Sequence, residues 1–291
     1  MKNTVPVLTI IAAILAIWYV AAIPLNAPWA YDKAKRASIE LSAGDLVADT
    51  WSQDKPKLPV PHQVATEIWD TTGALVLKGR GFSKRSLLYH SWVTFSATML
   101  GFLLGTGLGI LLAVGIVHNR TMDRSVMPWI IASQTVPIIA IAPMIIVVLN
   151  AIGISGLLPK AMISMYLSFF PVVVGMVKGL RSPDAMQLDQ MRTWNAGRVQ
   201  TLRYLRLPSS MPYFFTSLKI AMAASLVGAI IGELPTGAVA GLGARLLAGS
   251  YYGQTVQIWS ALLMAALLAA ILVGIIGAVQ RVALARMGMG R

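Results

Sequence analysis

Long segments without a charged side chain recur along this chain, and they constrain its fold more than any other feature. A helix needs about 20 apolar residues to cross the hydrocarbon core of a bilayer. Because no water is available there, every backbone N–H and C=O must be paired within the segment, which a helix achieves. The sequence therefore predicts an all-α integral membrane protein with about six transmembrane helices. The predicted spans lie within residues 3–31, 86–117, 125–159, 161–177, 220–234 and 256–279.

The composition supports this fold class. The chain has 291 residues, of which 56% are hydrophobic and only 12% are charged, whereas soluble domains carry about 25% charged residues. The net charge of +13 at first suggests a nucleic-acid partner. However, residues 27–90 hold nine Lys/Arg and seven Asp/Glu, and the other fifteen Lys/Arg lie mostly between apolar runs. This distribution is typical of charge beside a lipid bilayer, so we expect no nucleic-acid binding.

Catalytic and metal-binding patterns are missing from the sequence. It has no cysteine, and His62, His90 and His118 are too far apart to suggest a ligand set. It also has no Gly-x-x-x-x-Gly-Lys-Ser/Thr phosphate loop, Gly-x-Ser-x-Gly elbow or His-Glu-x-x-His helix. We therefore expect that this chain is not an enzyme and that it holds no metal or other cofactor of its own.

The first part of the chain is predicted to divide near Pro24. Residues 1–26 are expected to form the first transmembrane helix, which ends at that proline and is followed by interfacial aromatic residues. A cleaved signal peptide is the rival interpretation, although the apolar run is long for one. Residues 27–88 are predicted to form an extracytoplasmic loop of mostly extended chain. Within it, Val64–Leu77 has the pattern of a short amphipathic helix that lies on the membrane.

The rest of the chain is predicted to be one membrane domain, residues 89–281, followed by a tail at 282–291. Gly101, Gly105 and Gly109 stand four residues apart in its first span. Small residues at this spacing let two helix backbones approach closely, so we expect a helix-packing face there.

Three prolines interrupt the span within residues 125–159. Each proline frees a carbonyl that a neighbouring group must satisfy, so we predict a broken helix beside a cavity. Gln134 and Asn150 are polar residues in this stretch. Either could face a solute pathway, and a hydrogen bond between helices is the alternative for each. The prolines are Pro128, Pro137 and Pro143.

Positive charge near the helix ends predicts the orientation in the membrane. With six spans and both termini in the cytoplasm, twelve Lys/Arg fall on the cytoplasmic side, whereas the short outer loops hold only Lys160 and Arg245. The twelve are Lys2, Arg120, Arg124, Lys178, Arg181, Arg192, Arg198, Arg203, Arg206, Arg281, Arg286 and Arg291.

The segment from Arg181 to Pro212 contains SPDAMQLDQMRTWNAGRVQTLRYLRLPSSMP. It resembles the cytoplasmic EAA loop of the permease subunits of binding-protein-dependent ABC importers. The family pattern is Glu-Ala-Ala, three residues, Gly and, further on, Leu-Pro. Leu207 and Pro208 match the end of this pattern.

Four positions depart from the family pattern. Asp189 keeps the charge of the family's glutamate with a shorter reach, and Gln190 and Met191 replace the two alanines. Asn195 replaces the glycine that turns the chain after the helix. Because asparagine is the residue next best able to adopt a left-handed backbone, we expect the turn to be kept.

The resemblance extends over roughly Pro59 to Arg281 and points to the nitrate/sulfonate/taurine-type branch. The runs that carry it are HSWVTFSATMLGFLLGTGLGILLAVGI, QTVPIIAIAPMIIVVLNAIGIS and GELPTGAVAGLGARLL. It implies the type I ABC importer permease fold, with a core permease domain at 89–281 and a cytoplasmic coupling loop at 179–212.

The resemblance also implies partners and residue roles. Two cytoplasmic ATPase subunits would hold ATP and Mg, a second permease copy or a sister permease would complete the channel, and an extracytoplasmic solute-binding protein would deliver the solute. The helix around Asp189–Asn195 would couple ATPase movement to the gate. The residues assigned to coupling are Asp189, Gln190, Met191, Arg192, Asn195, Arg198 and Pro208.

The solute pathway is less constrained by the sequence. Gln134, Asn150 and Glu233 are its candidate residues, and Glu233 has the alternative of a structural pair, with Arg245 as the suggested partner. A lone carboxylate in the path would disfavour anions, which favours a neutral or cationic solute, such as a pyrimidine-like heterocycle, over nitrate or sulfonate. The predicted solute is nitrate/sulfonate/taurine-like or a pyrimidine-like heterocycle. A secondary transporter and a non-transporting membrane scaffold are the alternative functions.

Overall fold

The computed structural model describes residues 4–38, 40–234 and 239–289, and every regular element in these ranges is a helix. The chain forms two compact units: unit 1 comprises residues 1–91 and 244–265, and unit 2 comprises 92–243 and 266–291. The helices are α1 (Thr4–Ala37), α2 (Ala43–Ser52), α3 (Pro61–Thr71), α4 (Gly73–Leu77), α5 (Leu87–His118), α6 (Arg120–Ser133), α7 (Ile138–Ala151), α8 (Leu157–Leu180), α9 (Ala185–Thr193), α10 (Arg198–Thr201), α11 (Leu207–Gly232), α12 (Leu242–Tyr251) and α13 (Thr255–Arg286).

Among the described residues, five helical segments are long and apolar enough to cross a membrane: α1, α5, α8, α13 and the continuous segment Arg198–Gly232 that contains α10 and α11. Helices α6 and α7 are joined at a bend of 98° and are long and apolar enough to cross a membrane only when they are taken as a pair. The bend confirms the predicted break, since Pro137 caps the N-terminus of α7 and cannot donate a backbone hydrogen bond.

The glycine face of α5 packs directly on α8 within unit 2. A side chain on Gly101 or Gly105 would overlap Ser164 or Ser168, and one on Gly109 would lie 2.8 Å from Val172. The contacts advance by four residues on both helices, so α5 and α8 run parallel. This confirms the predicted packing face.

Helix α11 runs antiparallel to α8, because Gly179 lies against Ser210 and Gly228 lies against Ser164. Hydrogen bonds tie the three helices together: Ser225 Oγ donates to the Thr98 carbonyl of α5 at 2.7 Å, and Ser164 Oγ lies 2.6 Å from Ser225 Oγ. Polar side chains that would be costly in lipid thereby find partners on neighbouring helices.

The parallel arrangement of α5 and α8 decides how the bent pair is counted. Because both helices start on the same side of the membrane, the chain between them must return across it. Helices α6 and α7 supply that return, with 14 residues each, or about 21 Å of helix apiece. The bent pair is therefore a sixth span rather than a re-entrant loop, in agreement with the predicted number.

Helix α1 continues past Pro24 and Pro28 to Ala37, so the predicted end of this helix at Pro24 is wrong. Packing within unit 1 explains the difference. Asn26 is buried, and its Nδ2 donates to the carbonyls of Thr50 and Leu58 at 3.1 and 2.9 Å. These bonds anchor the helix beyond the prolines, where sequence rules alone favour a break.

Residues 27–88 contain more helix than the sequence indicated. The predicted helix at Val64–Leu77 is two helices, α3 and α4, which break at Thr72. Val64 is fully buried, as an amphipathic pattern requires, whereas Val76 is 51% exposed. Helix α2 packs on α1, and a hydrogen bond from Lys33 of α1 lowers the pKa of Asp49 in α2. The segment is thus part of a folded unit rather than mostly extended chain.

Replacing Gly101 with alanine is expected to destabilise unit 2 by about 1–3 kcal/mol, the usual cost of overpacking. The new Cβ would lie 2.7 Å from the Ala161 backbone carbonyl, which cannot rotate away. Gly107→Ala is the matched control in the same helix, because its Cβ would meet no atom within 4 Å. Denaturant titration of the purified chain in detergent measures both, and equal stability of the two variants would contradict the packing.

Candidate functional site

The segment predicted to couple the permease to its ATPase contains a short helix with an open surface. This is α9, and no residue within its described range, Ala185–Thr193, is buried. At its first turn the Asp184 N–H donates to Gln187 Oε1 at 3.1 Å. Met186 is 83% exposed. Isolated helices of this length are marginal in water, so α9 would gain stability from a molecule that covers it.

Asn195 gives α9 a defined end. Its backbone is left-handed, with a φ angle of 52°. The Asn195 N–H donates to the Arg192 carbonyl at 2.8 Å, and the Ala196 N–H donates to the Met191 carbonyl at 3.0 Å. These two bonds form a Schellman motif, which commonly has glycine at this position. The structure thus confirms that Asn195 keeps the turn that glycine makes in the family pattern.

Asp189 and Arg192 form an ion pair on the surface of α9. Arg192 Nη1 lies 2.8 Å from Asp189 Oδ1, and the two side chains are 80% and 65% exposed, respectively. A pair this exposed contributes at most about 1 kcal/mol. Gln190 and Met191 lie between the two in sequence. The helix thus brings these four predicted coupling residues together. The ion pair between Asp189 and Arg192 can also be exchanged for pairs with another protein at little cost in free energy.

The segments on either side of α9 are tied to the spans of unit 2. Arg181, which caps α8, pairs with Asp123 of α6 at 2.8 Å. Arg206 Nη1 donates to the Leu180 carbonyl at the end of α8 at 3.3 Å. The chain before and after α9 is thus anchored at the ends of α6, α8 and α11.

Arg198 and Pro208, the other predicted coupling residues, stand at the entry to the fifth span. Arg198 begins α10, and a π-helical turn at Leu202–Arg206 leads without interruption into α11. Pro208 lies in the first turn of α11, where a missing N–H is tolerated. The π-helical turn, a feature often found at functional sites, was not predicted.

Glu233 is fully buried in unit 2. Thr94 Oγ1 donates to Oε2 at 2.9 Å, and the Gly243 N–H donates to the same oxygen at 2.9 Å. Lys160 Nζ lies 4.0 Å from Oε1 and is the nearby cation. These contacts favour the structural alternative for Glu233, and its place on a solute pathway stays a prediction.

Arg245, the suggested partner of Glu233, pairs instead with a residue of its own unit. Its Nη2 lies 3.9 Å from Glu67 Oε1 in unit 1. That part of the prediction is therefore wrong. Neither Glu67 nor Thr94 could be linked to these groups from the sequence, because helix order alone does not say which distant residues meet.

Gln134 caps the C-terminus of α6, whereas Asn150 lies in the last turn of α7. Gln134 is half-buried at the bend, and its Nε2 donates to Ser133 Oγ at 3.2 Å. Asn150 is exposed near the end of α7. No contact among the described residues joins Gln134, Asn150 and Glu233, so their common role as a solute pathway stays a prediction.

A cavity of about 580 Å³ opens between α8 and α11 in unit 2. Phe170 and Tyr213 supply aromatic walls, and Thr216 and Ser217 supply hydroxyl groups. Lys178 lies with its ammonium 5.8 Å from the centre of the Tyr213 ring. Pro171 of α8 and Pro212 of α11 line this groove, and prolines within two spans are the sequence signal that could have located it.

Comparison with known proteins identifies the family to which the chain is similar. A family model described as the inner membrane component of binding-protein-dependent transport systems matches residues 105–288. The match covers more than half of the chain and includes α9, the Asn195 turn and the groove between α8 and α11.

Individual relatives agree with this match. The formylaminopyrimidine transport permease of Halalkalibacterium halodurans is 32% identical over 58% of this chain and 66% of its own length. The riboflavin transport system permease of Chloroflexus aurantiacus is 29% identical over 77% of this chain and 78% of its own. The putative aliphatic sulfonates transport permease of Bacillus subtilis is 24% identical over 71% and 70%, respectively.

These similarities set aside the secondary transporter and the membrane scaffold as alternatives. They also account for the helical architecture, since the matched family has the type I permease fold. The chain belongs to the family of binding-protein-dependent transport system inner membrane components, as a multi-pass permease subunit of an ABC importer.

Proposed function

We propose that α9 docks on a cytoplasmic ATPase subunit, which holds ATP and Mg, and passes its movement to the solute gate. The observation that carries this proposal is the open surface of α9 combined with its rigid end at Asn195. A helix that is largely exposed yet held in position can follow a partner as a rigid body.

The docking surface combines apolar and polar groups. Met186 and Trp194 are 83% and 67% exposed, and large apolar side chains of this kind supply most of the binding energy in protein interfaces. Asp189 and Arg192 can exchange their mutual pair for partner charges at little cost. The arginines Arg181 and Arg206 link this surface to the spans.

The proposal places both termini and α9 in the cytoplasm. Its support is the bias of twelve Lys/Arg against two in the short connecting segments. In this orientation residues 40–86 of unit 1 lie outside the cell. There a cavity of about 660 Å³ is lined by acidic and basic groups, including Glu67, Asp70 and Arg245. A polar surface of this kind suits the docking of a solute-binding protein.

Single cysteines test the docking and the orientation together, because the natural chain has none. Met186→Cys is expected to react with a membrane-impermeant maleimide only after the membrane is opened, and to cross-link to the co-purified ATPase subunit. Phe82→Cys, at a position 72% exposed in unit 1, is the control and should be labelled in intact spheroplasts without such a cross-link. The reverse labelling pattern would overturn the orientation, and a correctly labelled Met186→Cys that yields no cross-link would overturn the docking.

For the solute, we propose a planar heterocycle that passes along the groove between α8 and α11. The aromatic walls formed by Phe170 and Tyr213 suit stacking against a flat ring, and the nearby hydroxyls can hydrogen-bond to ring substituents. Two relatives named for formylaminopyrimidine and riboflavin transport support the same class.

A second copy of the chain, or a sister permease, would close this groove. The exposed residues of α11 form one stripe with alternating spacings of three and four, as expected for one face of a helix. Such a stripe beside a half-open groove suits an interface that lines a shared channel. The stripe consists of Tyr213, Thr216, Ile220, Ala223 and Val227.

Tyr213→Ala is expected to lower the uptake rate of a heterocyclic solute about tenfold, because one stacking wall is worth about 1.5 kcal/mol. The measurement is solute uptake in proteoliposomes with the ATPase and the binding protein present. Tyr204→Ala is the matched control, since Tyr204 is exposed and does not line the groove. Equal uptake by the two variants at equal protein levels would contradict the pathway.

A further inference from the structure

Basic side chains surround a cavity of about 360 Å³ in unit 2. The cavity lies where the end of α5, the end of α9 and the start of α10 come together. His118, Arg192, Arg198 and Arg206 line it, with Thr201 adding a hydroxyl. Among the described residues that line this cavity, none is acidic.

The three guanidinium groups are only partly engaged by protein groups. Arg192 uses Nη1 for Asp189, and Arg206 uses Nη1 for the Leu180 carbonyl. Within the described ranges no ion pair involves Arg198. Because each guanidinium carries five N–H donors, most of the donors around the cavity are left for a ligand.

We infer that this cavity binds a phosphate group that carries two negative charges, either as free phosphate or as the terminal phosphate monoester of a lipid such as phosphatidic acid. Several arginine side chains match the oxygens of such a tetrahedral dianion, which arginine binds through paired N–H donors. The Thr201 hydroxyl already donates to the Gly197 carbonyl at 3.1 Å and adds no donor. The inference goes beyond the coupling role of α9 and does not rest on the docking of an ATPase.

An acidic side chain from a partner protein fits the cavity less well. A carboxylate has one charge and two oxygens, whereas three guanidinium groups line the cavity. It would therefore neutralise less of their charge and accept from fewer of their donors than a phosphate dianion. A phosphate group can engage more of them at once.

A bound phosphate would join α9 to the end of α5 and to the continuous helical segment Arg198–Gly232. Arg192 lies at the end of α9, Arg198 at the start of α10, and Arg206 at the entry to α11. His118 ends α5, and its Nδ1 lies 2.8 Å from the Val114 carbonyl, which fixes the ring. Occupancy would therefore stiffen the connection from α9 to the spans, so that the ligand could tune the response of the permease.

The test uses the full-length chain purified in maltoside detergent, which contains no phosphate. Inorganic phosphate is titrated at constant ionic strength against chloride, and the thermal unfolding midpoint is recorded. A parallel series adds phosphatidic acid, which carries a phosphate monoester, or phosphatidylglycerol, an anionic lipid whose phosphodiester has one charge. Arg198→Gln removes one cavity guanidinium, and Arg203→Gln is the matched control, because Arg203 is exposed on the same loop and does not line the cavity.

We expect a saturable rise of the midpoint in the natural chain and in Arg203→Gln. In Arg198→Gln the apparent affinity should fall about tenfold or more, as the loss of a charge-assisted hydrogen bond predicts. A response to inorganic phosphate identifies the free ion as a ligand, and a response to phosphatidic acid alone identifies the lipid. An equal response to phosphatidylglycerol would show general binding of anionic lipid and would contradict the inference. No response to inorganic phosphate or phosphatidic acid, or an equal loss in both variants, would overturn the inference, and the cavity would then be a socket for an acidic side chain of the ATPase.

Discussion

Asn195→Val is expected to uncouple ATP hydrolysis from transport, whereas Asn195→Gly should leave both nearly unchanged. The left-handed backbone at this position, with φ of 52°, costs an ordinary L-residue roughly 1–2 kcal/mol, and a β-branched side chain fits it worst. Relief of that strain would unwind the Schellman motif at the end of α9. Since 1.4 kcal/mol is a factor of ten, solute-stimulated ATPase activity and uptake should fall about tenfold.

The measurement compares stimulated ATPase activity and uptake in proteoliposomes that contain the whole importer. Ser38→Val is a matched control, because Ser38 is the other described non-glycine residue with positive φ, at 54°, and it lies in unit 1. This control should cost stability without uncoupling. If Asn195→Val retained normal coupling, or if Ser38→Val lost it equally, the turn at Asn195 would have no special part in coupling.

The features that the sequence predicted correctly are those set by local chemistry. The span count follows from apolar length, the break before α7 follows from Pro137, and the turn at Asn195 follows from the need for a left-handed residue. The packing of α5 on α8 follows from small residues repeated every four positions, at Gly101, Gly105 and Gly109. Each depends on properties of a few neighbouring residues rather than on the tertiary fold.

The features that escaped prediction depend on contacts between distant residues. Helix α1 continues past Pro24 because Asn26 is held by backbone carbonyls from another part of unit 1. Glu233 meets Thr94, which is 139 positions away in the sequence. Local rules can say that a buried carboxylate needs donors, but they cannot say which helix supplies them.

Glu233→Leu is expected to destabilise unit 2 by about 3–5 kcal/mol, as the removal of one partner from a buried charged cluster does. The Thr94 hydroxyl and the Gly243 N–H would lose their acceptor. The Lys160 ammonium would keep its hydrogen bond to the Ala240 carbonyl but lose its ion-pair partner. Glu233→Gln retains a carbonyl oxygen and should cost less, about 1–2 kcal/mol. Denaturant titration of the purified chain gives the stabilities, and competition uptake assays with folded protein give the solute preference.

The pattern of losses distinguishes the two roles proposed for Glu233. If the carboxylate is structural, Glu233→Gln should lower stability and Glu233→Leu should lower it further. The ranking of competing solutes should then be the same in every variant that still folds. Thr94→Val offers a matched test on the other side of the hydrogen bond, because it removes the donating hydroxyl without adding or removing a charge. Because the same hydroxyl accepts from the buried Leu242 N–H at 2.9 Å, Thr94→Val should cost more stability than Glu233→Gln. It should leave the solute ranking unchanged. A changed solute ranking in Glu233→Gln with normal stability would instead place this carboxylate on the solute pathway, because only a group that meets the solute can alter its selection without weakening the fold.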